Sequence, residues 1–309
     1  MSCSEHLSSL MSTEGPSSRY SGIDLWQADE IVDAMIEAQF DAVAAARAAR
    51  EALQQAAIAM EARLRFRGRL VYAGAGTSGR LAVQDGAELM PTFNWPEDRL
   101  VLLMAGGREA LLRAVEGAED EADRARCLVR RHVIDRHDVL IAVAASGTTP
   151  FTLACLREAK ARGALTIGIA NNPGTPLLAE SDHPVLLDTG AEPIAGSTRL
   201  KAGTAQKIAL NVLSSVLMIL LGRVYQGLMV DVQATNRKLV QRSENMLVRL
   251  TSCSHESARD ALQRANGSIK LAVLLLNGCS VDEGLRLIEE ANGRLGAALA
   301  FVRRQGSGV

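Results

Sequence analysis

The sequence predicts an α/β fold built on a parallel sheet, followed by a small all-helical segment. Three observations carry that reading. Two strand–loop–helix units of one kind occupy the first half: Leu-Val-Tyr-Ala-Gly-Ala-Gly-Thr-Ser-Gly-Arg at 70–80 and Val-Leu-Ile-Ala-Val-Ala-Ala-Ser-Gly-Thr-Thr-Pro at 139–150. From 70 to 221 short apolar runs alternate with helical patterns across short connections, the signature of parallel strands covered by helices on both faces. Beyond about 254 the strand-like runs stop and only helical periodicity remains.

Taken in order, residues 1–22 are rich in Ser and Gly and read as loosely structured. Residues 23–67 are Ala-rich with helical spacing, opened near Ala28-Asp29-Glu30 and closed at Arg65-Phe66-Arg67-Gly68. Strands are predicted near 70–73, 100–104, 139–143, 165–169 and 185–187, and helices near 79–89, 108–131, 150–162, 175–180 and 202–221. The most apolar stretch, 208–221, contains Asn211, Ser214 and Ser215 and is too short to span a bilayer, so it reads as a buried helix and not as a membrane segment. Three short helices are predicted at 255–265, 268–276 and 281–291. Leu-Gln-Arg-Ala-Asn-Gly at 262–267 echoes Ile-Glu-Glu-Ala-Asn-Gly at 288–293, which reads as matching helix stops. The domain division read from this pattern is a loose segment at 1–22, an α/β domain at 23–250 and a helical domain at 251–309.

Composition narrows the function. A chain of 309 residues with 48% hydrophobic and 22% charged residues can bury a large core, and a net charge of −1 offers nothing to nucleic acid. Aromatic residues, at 3%, leave few platforms for base stacking. Cys3, Cys127, Cys155, Cys253 and Cys279 are scattered and odd in number, as free thiols in a reducing cytoplasm would be. No apolar run of signal-peptide length opens the chain. His6, His132, His137, His183 and His255 lack metal-ligand spacing, so no metal is expected.

Gly74, Gly76 and Gly79 satisfy G-x-G-x-x-G, the dinucleotide fingerprint, but the next predicted strand ends in Gly106-Gly107 where a ribose-binding acid should stand. No G-x-x-x-x-G-K-[ST] occurs. Instead Thr77 and Ser78 add hydroxyls beside Gly76 and Gly79, and the second loop offers Ser146, Gly147, Thr148 and Thr149. Hydroxyls joined to backbone N–H groups at a helix start form an anion site, and two such loops at the ends of parallel strands can converge on one phosphate. The ligand predicted is therefore a phosphorylated small molecule. A third segment, 196–207, runs from a loop into the apolar helix and carries two hydroxyls, Ser197 and Thr198, and two cations, Arg199 and Lys201, suited to an anionic substrate. Candidate carboxylates are Glu88, one turn beyond Asp85, and Glu119 in an acidic run. A pair of carboxylates suits acid–base chemistry because one can stay protonated while the other is ionised.

The segments at 74–81, 88–93, 114–120, 144–150, 196–207 and 228–236 together resemble the N-acetylmuramic acid 6-phosphate etherase family, in its order and spacing, over roughly 13–300. The resemblance implies a flavodoxin-like SIS (sugar isomerase) domain, an α/β sandwich with a parallel sheet, plus a small all-helical C-terminal domain. It implies a homodimer that binds a phosphosugar; the reaction it implies requires no cofactor, and the composition already points to a cytoplasmic chain with no nucleic-acid or membrane partner. By position, Glu88 falls on the family's catalytic acid and Glu119 on its second catalytic glutamate. Thr77, Ser78, Ser146 and Thr149 fall on its phosphate-loop hydroxyls. The chain departs from the family in having Ala87, Leu89 and Met90 around Glu88, Thr148 where Arg is common, and Thr13-Glu14-Gly15-Pro16 in place of Thr-Glu-x-x-Asn-Pro.

The implied reaction removes the D-lactyl ether at C3 of the sugar, with Glu119 as base and Glu88 as acid, the latter expected to be kept protonated by partial burial. Two other readings suit the same loops. One is a non-catalytic phosphosugar sensor, which would need neither glutamate. The other is an aldose–ketose isomerase, which often carries a Ser where Ala144 stands.

Overall fold

The computed structural model of the chain describes residues 12–232 and 237–306. Cys3, His6 and the 233–236 end of the segment at 228–236 lie outside the described residues. After two short 3₁₀ turns come helices α1 (Ala28–Ala48) and α2 (Arg50–Leu64). Then follow β1 (Leu70–Gly74), α3 (Gly76–Phe93), β2 (Leu100–Met104), α4 (Ala122–Arg131), β3 (Val139–Val143), α5 (Pro150–Ala161), β4 (Leu165–Ala170), α6 (Pro176–Glu180), β5 (His183–Leu186) and α7 (Lys201–Leu220). A two-stranded ribbon, β6 (Val224–Tyr225) with β7 (Leu228–Met229), precedes α8 (Arg237–Thr251), α9 (His255–Arg264), α10 (Ile269–Leu276), α11 (Val281–Glu290) and α12 (Leu295–Gly306).

All five predicted strands form, and they pair in parallel in the order β2-β1-β3-β4-β5. Their apolar runs are buried because helices cover both faces. Phe151 and Leu156 of α5 and Val129 of α4 pack with Val71 and Ala73 in one core, while α2 contacts β3, β4 and β5. Tyr72, which alternates to the face opposite Val71, turns its hydroxyl to Asp85 of α3.

Three predictions need correction. The helix expected at 108–131 is broken. Gly106 and Gly107 take positive φ, a 3₁₀ turn at Gly107–Leu111 follows, Gly117 sits at φ +70°, and a second 3₁₀ turn (Ala118–Asp120) precedes α4. Left-handed glycines end the helical path twice. The C-terminal helices number more than the three predicted, since α8 and α12 flank them. Finally, α7 is 20 residues long, enough by length and composition to cross a membrane. Half of it is buried, with Ala202, Ala205, Ala209, Leu210 and Leu213 facing inward. It reads as a core helix.

The chain separates into two compact units, residues 1–87 with 97–214, and residues 88–96 with 215–309. The first holds the five-stranded sheet. In the second, Leu247, Ala258, Ala272, Leu274, Leu287 and Ala298 form a helical core. Its helices α9, α10 and α11 are each opened by a serine, Ser254, Ser268 and Ser280, whose hydroxyl accepts a backbone N–H of the first turn.

Candidate active site

In the order β2-β1-β3-β4-β5 the chain reverses direction between β1 and β3, and in such sheets the ligand crevice lies outside the carboxyl ends of the strands at that reversal. Gly74 pairs in register with Val143, so the loops that leave β1 and β3 emerge side by side. The structure thus brings the two predicted phosphate loops together.

The first loop is compressed by glycine. A Cβ on Gly79 would stand 2.7 Å from the carbonyl carbon and oxygen of Gly74. Strand end and helix start therefore touch backbone to backbone, and α3 begins at Gly76 within the loop. Ser78 is buried and Thr77 half-buried. Arg80 crosses to the next connection, donating from Nε to the Ala110 carbonyl at 2.8 Å and from Nη2 to that of Arg113 at 3.3 Å. A cavity of about 250 Å³ opens here, lined by Gly76, Arg80, Ala105, Glu116 and Glu119 among others.

In the second loop, Ser146 Oγ accepts the Thr148 N–H at 3.2 Å and lies 3.3 Å from Thr149 Oγ1, with all three residues half-buried. Gly147 takes φ +67° directly beneath Thr175, whose Cβ would be 2.5 Å from an added methyl. The Ala145 carbonyl accepts the backbone N–H of Asn171 at 3.0 Å and Asn172 Nδ2 at 2.9 Å. Asn171 in turn donates to the Leu187 carbonyl at 2.9 Å and accepts from Gln206 at 2.8 Å.

The third segment approaches the first. A Cβ on Gly203 would lie 3.2 Å from the Thr198 carbonyl and 3.5 Å from Thr77 Cγ2, so the starts of α3 and α7 adjoin. Ser197 and Thr198 are half-buried and Arg199 is exposed. Lys201 is different from the substrate-binding cation expected of it. It is buried, and its ammonium donates to Asp41 at 2.8 Å. The N-terminus of α7 is itself occupied, since the fully buried Glu192 carboxylate accepts the N–H groups of Lys201 and Ala202 at 3.1 and 2.9 Å. Burial pushes the Glu192 carboxyl up, against the opposing pull of those two donors and the Lys201 charge.

The two glutamates sit in different units. Glu119 lies in the 3₁₀ turn after Gly117, is exposed, and lines the cavity at the start of α3. Glu88 lies on α3 past Ala87, in the second unit, and is exposed, not partly buried as expected. Asp85, its neighbour one turn back, is buried and accepts from Tyr72 Oη at 2.7 Å, Asn211 Nδ2 at 2.6 Å and Ser214 Oγ at 3.1 Å. That carboxylate ties α3 to the sheet and to α7 and is not open to a ligand.

Arg80, Asn171, Asn172 and Glu192 escaped the sequence reading. Asn171-Asn172-Pro173-Gly174, placed directly after a predicted strand, is a turn signal that could have drawn attention. Nothing local marks Glu192.

The chain is similar in sequence to known proteins over most of its length. Residues 50–160 match the model of the N-terminal SIS domain of glucokinase regulatory protein, and residues 119–216 match the SIS domain model. The N-acetylmuramic acid 6-phosphate etherase of Deinococcus radiodurans is 51% identical over 275 residues, covering 89% of this chain and 90% of its own length. The chain belongs to the N-acetylmuramic acid 6-phosphate etherase family. The etherase of Mycolicibacterium smegmatis, 41% identical, covers 94% of this chain and 98% of itself. Among solved structures, a phosphoheptose isomerase from Francisella tularensis superimposes on 63% of this chain and all of its own, with a TM-score of 0.48 and 19% identity.

Proposed function

We infer that the chain is a carbon–oxygen lyase that cleaves the D-lactyl ether of N-acetylmuramic acid 6-phosphate with water, giving N-acetylglucosamine 6-phosphate and D-lactate, in the recovery of cell-wall sugar. Family membership supports the reaction. The observation that carries the assignment of the site is the cavity that runs from Gly76, at the start of α3, to Glu119. It sets a carboxylate beside an anion-binding helix start.

The chemistry follows from the substrate. With the ring open, the C1 aldehyde makes the C2 proton acidic. Glu119 removes it, the electron pair forms the C2–C3 double bond, and the C3–oxygen bond breaks as Glu88 protonates the departing lactate oxygen. Water then adds at C3 and a proton returns to C2. Thr77 and Ser78, with Ser146 to Thr149, hold the phosphate, which lets its binding energy position C2 and C3. Ser197, Thr198 and Arg199 border the same crevice.

A homodimer suits the surface of α1, where Val32, Ile36, Phe40 and Val43 recur at helical spacing and are 54%, 59%, 69% and 56% exposed. A cytoplasmic setting suits the free thiols Cys127, Cys155, Cys253 and Cys279.

The test is release of D-lactate from N-acetylmuramic acid 6-phosphate. Glu119→Gln and Glu88→Gln should each lower kcat by about 10²–10⁴ without loss of fold, since both side chains are exposed. A loss below about tenfold in either variant would remove that residue from general acid–base catalysis. Binding of the sugar phosphate without lactate release would favour the sensor.

A further inference from the structure

The second phosphate loop is held from outside itself, through Asn172, by a segment that lies 160 residues before that asparagine. Asn172, 2% exposed, uses its whole hydrogen-bonding capacity at one point. Its Nδ2 donates to the Ala145 carbonyl and to Thr13 Oγ1, both at 2.9 Å. Its Oδ1 accepts from Ser12 Oγ at 2.9 Å and from the Thr13 N–H at 3.3 Å. Thr13 is fully buried. The Thr13 carbonyl continues the chain of bonds by accepting the Gly196 N–H at 3.0 Å. Gly196 itself takes φ +73°, and a Cβ there would stand 2.9 Å from the Glu14 carboxylate, so the strap at 12–14 lies directly on that loop.

One amide and one threonine therefore connect the residue before Ser146 to the residue before Ser197. A segment that merely shielded the sheet edge would do so with apolar side chains, which are non-directional. The strap and Asn172 together use five hydrogen bonds of defined geometry, all within the first compact unit, which fix where the two loops stand relative to each other.

We propose that Asn172 and Thr13 are positioning residues of the phosphosugar site: the amide, through the strap, sets the loop carrying Ser146 and Thr149 against the loop carrying Ser197 and Thr198. Neither residue touches the reacting atoms. The proposal rests on the reading of those loops as the phosphate site.

The experiment compares Thr13→Val, which keeps the volume and loses the hydroxyl, Asn172→Asp, which keeps the acceptor and loses both donors, their double variant, and Thr13→Ser. D-lactate kinetics supply KM and kcat, calorimetric titration of N-acetylglucosamine 6-phosphate supplies Kd, and thermal melting monitors the fold. Each of the first two variants should raise KM and Kd about fivefold to tenfold with kcat within about twofold. The double variant should show no more than the larger single effect, and Thr13→Ser should retain the parent KM. Unchanged KM and Kd beside a lowered melting temperature would overturn the proposal, leaving a purely structural clamp. So would a fall in kcat alone. If the parent bound the sugar phosphate but released no lactate, the etherase reading would fall while the Kd values still decided this one. If the parent bound no sugar phosphate, both would fall.

Discussion

The loops after β1 and β3 carry similar residues to the same edge of the sheet, yet they are stabilised in opposite ways. The first is held from within. Gly74 and Gly79 remove the two side chains that would separate strand from helix, and the backbone of residues 74–79 closes on itself. The second is held from without. Thr175 lies over Gly147, the Leu177 N–H donates to the Gly147 carbonyl at 3.1 Å, and Asn171 and Asn172 both bond the Ala145 carbonyl. A glycine-compressed loop depends on what is absent from its own few residues, whereas a braced loop depends on residues distant in sequence. The two should therefore respond differently to the same chemical change.

The largest effect is expected at the first loop. Gly79→Ala places a methyl 2.7 Å from the Gly74 backbone and against the Met104 sulfur. Because backbone cannot rotate aside, β1 and α3 must part, at a cost of about 3 kcal/mol or more. Urea unfolding would register that loss, and lactate release should fall at least about tenfold as Thr77 and Ser78 move with the helix start. Truncating Met104 should not restore it, since the Gly74 main chain still stands 2.7 Å from the methyl. A Gly79→Ala protein with the parent's unfolding midpoint would end the account of the first loop.

Gly147→Ala should behave otherwise. Its new methyl meets the Thr175 side chain, 2.5 Å from Thr175 Cβ, and the residue must also hold φ +67°. The combined cost is about 2–3 kcal/mol, of which the left-handed conformation accounts for about 1–2 kcal/mol. In a Thr175→Gly background only the conformational part should remain. Thr175 Oγ1 has no hydrogen-bond partner among the described residues, so its removal strands no donor. A double-mutant cycle on unfolding free energy measures the coupling. Equal costs of Gly147→Ala in both backgrounds would show that Thr175 does not set the loop.

The same distinction explains what could be read in the sequence. The strands, the glycine spacing at 74–79 and the hydroxyls at 77–78 and 146–149 are local patterns, and each appears where its residues predict. The break at 106–120, which presents Glu119, falls in and just before a stretch whose sequence predicts one helix near 108–131. It is the left-handed backbone of Gly106, Gly107 and Gly117 that interrupts it, and a glycine's φ is not written in its neighbours. The braces are harder still. Asn172 to Thr13 and Asn171 to Gln206 join residues far apart in the chain, and no single-sequence periodicity encodes a partner; Glu192 reaches only nine residues on to the start of α7, but nothing in the intervening loop marks it. Lys201 reads as a substrate cation until Asp41 of α1 is seen beside it.

The smallest expected effect lies at the opposite, amino ends of these same two strands, and it separates stability from substrate binding. There Arg69 pairs with the buried Asp138 at 2.6 Å and donates to the carbonyls of His132 and Val133 at 2.8 and 2.9 Å. Partial desolvation of the otherwise exposed side chain, then the charges of Arg69 and Arg131, hold the His132 imidazole below its ordinary pKa. Folding therefore favours the neutral ring. Its contribution to stability is complete above the unfolded-state value near 6.5 and is lost as pH falls through the lower folded-state value. In His132→Asn the urea midpoint should fall less than the parent's between about pH 7 and about pH 5, while KM for the sugar phosphate follows the parent at both. Because His132 lies at the amino ends, away from the crevice at the carboxyl ends, a change in KM would show the two ends to be coupled. An identical acid loss in parent and variant would assign the pH sensitivity to other groups.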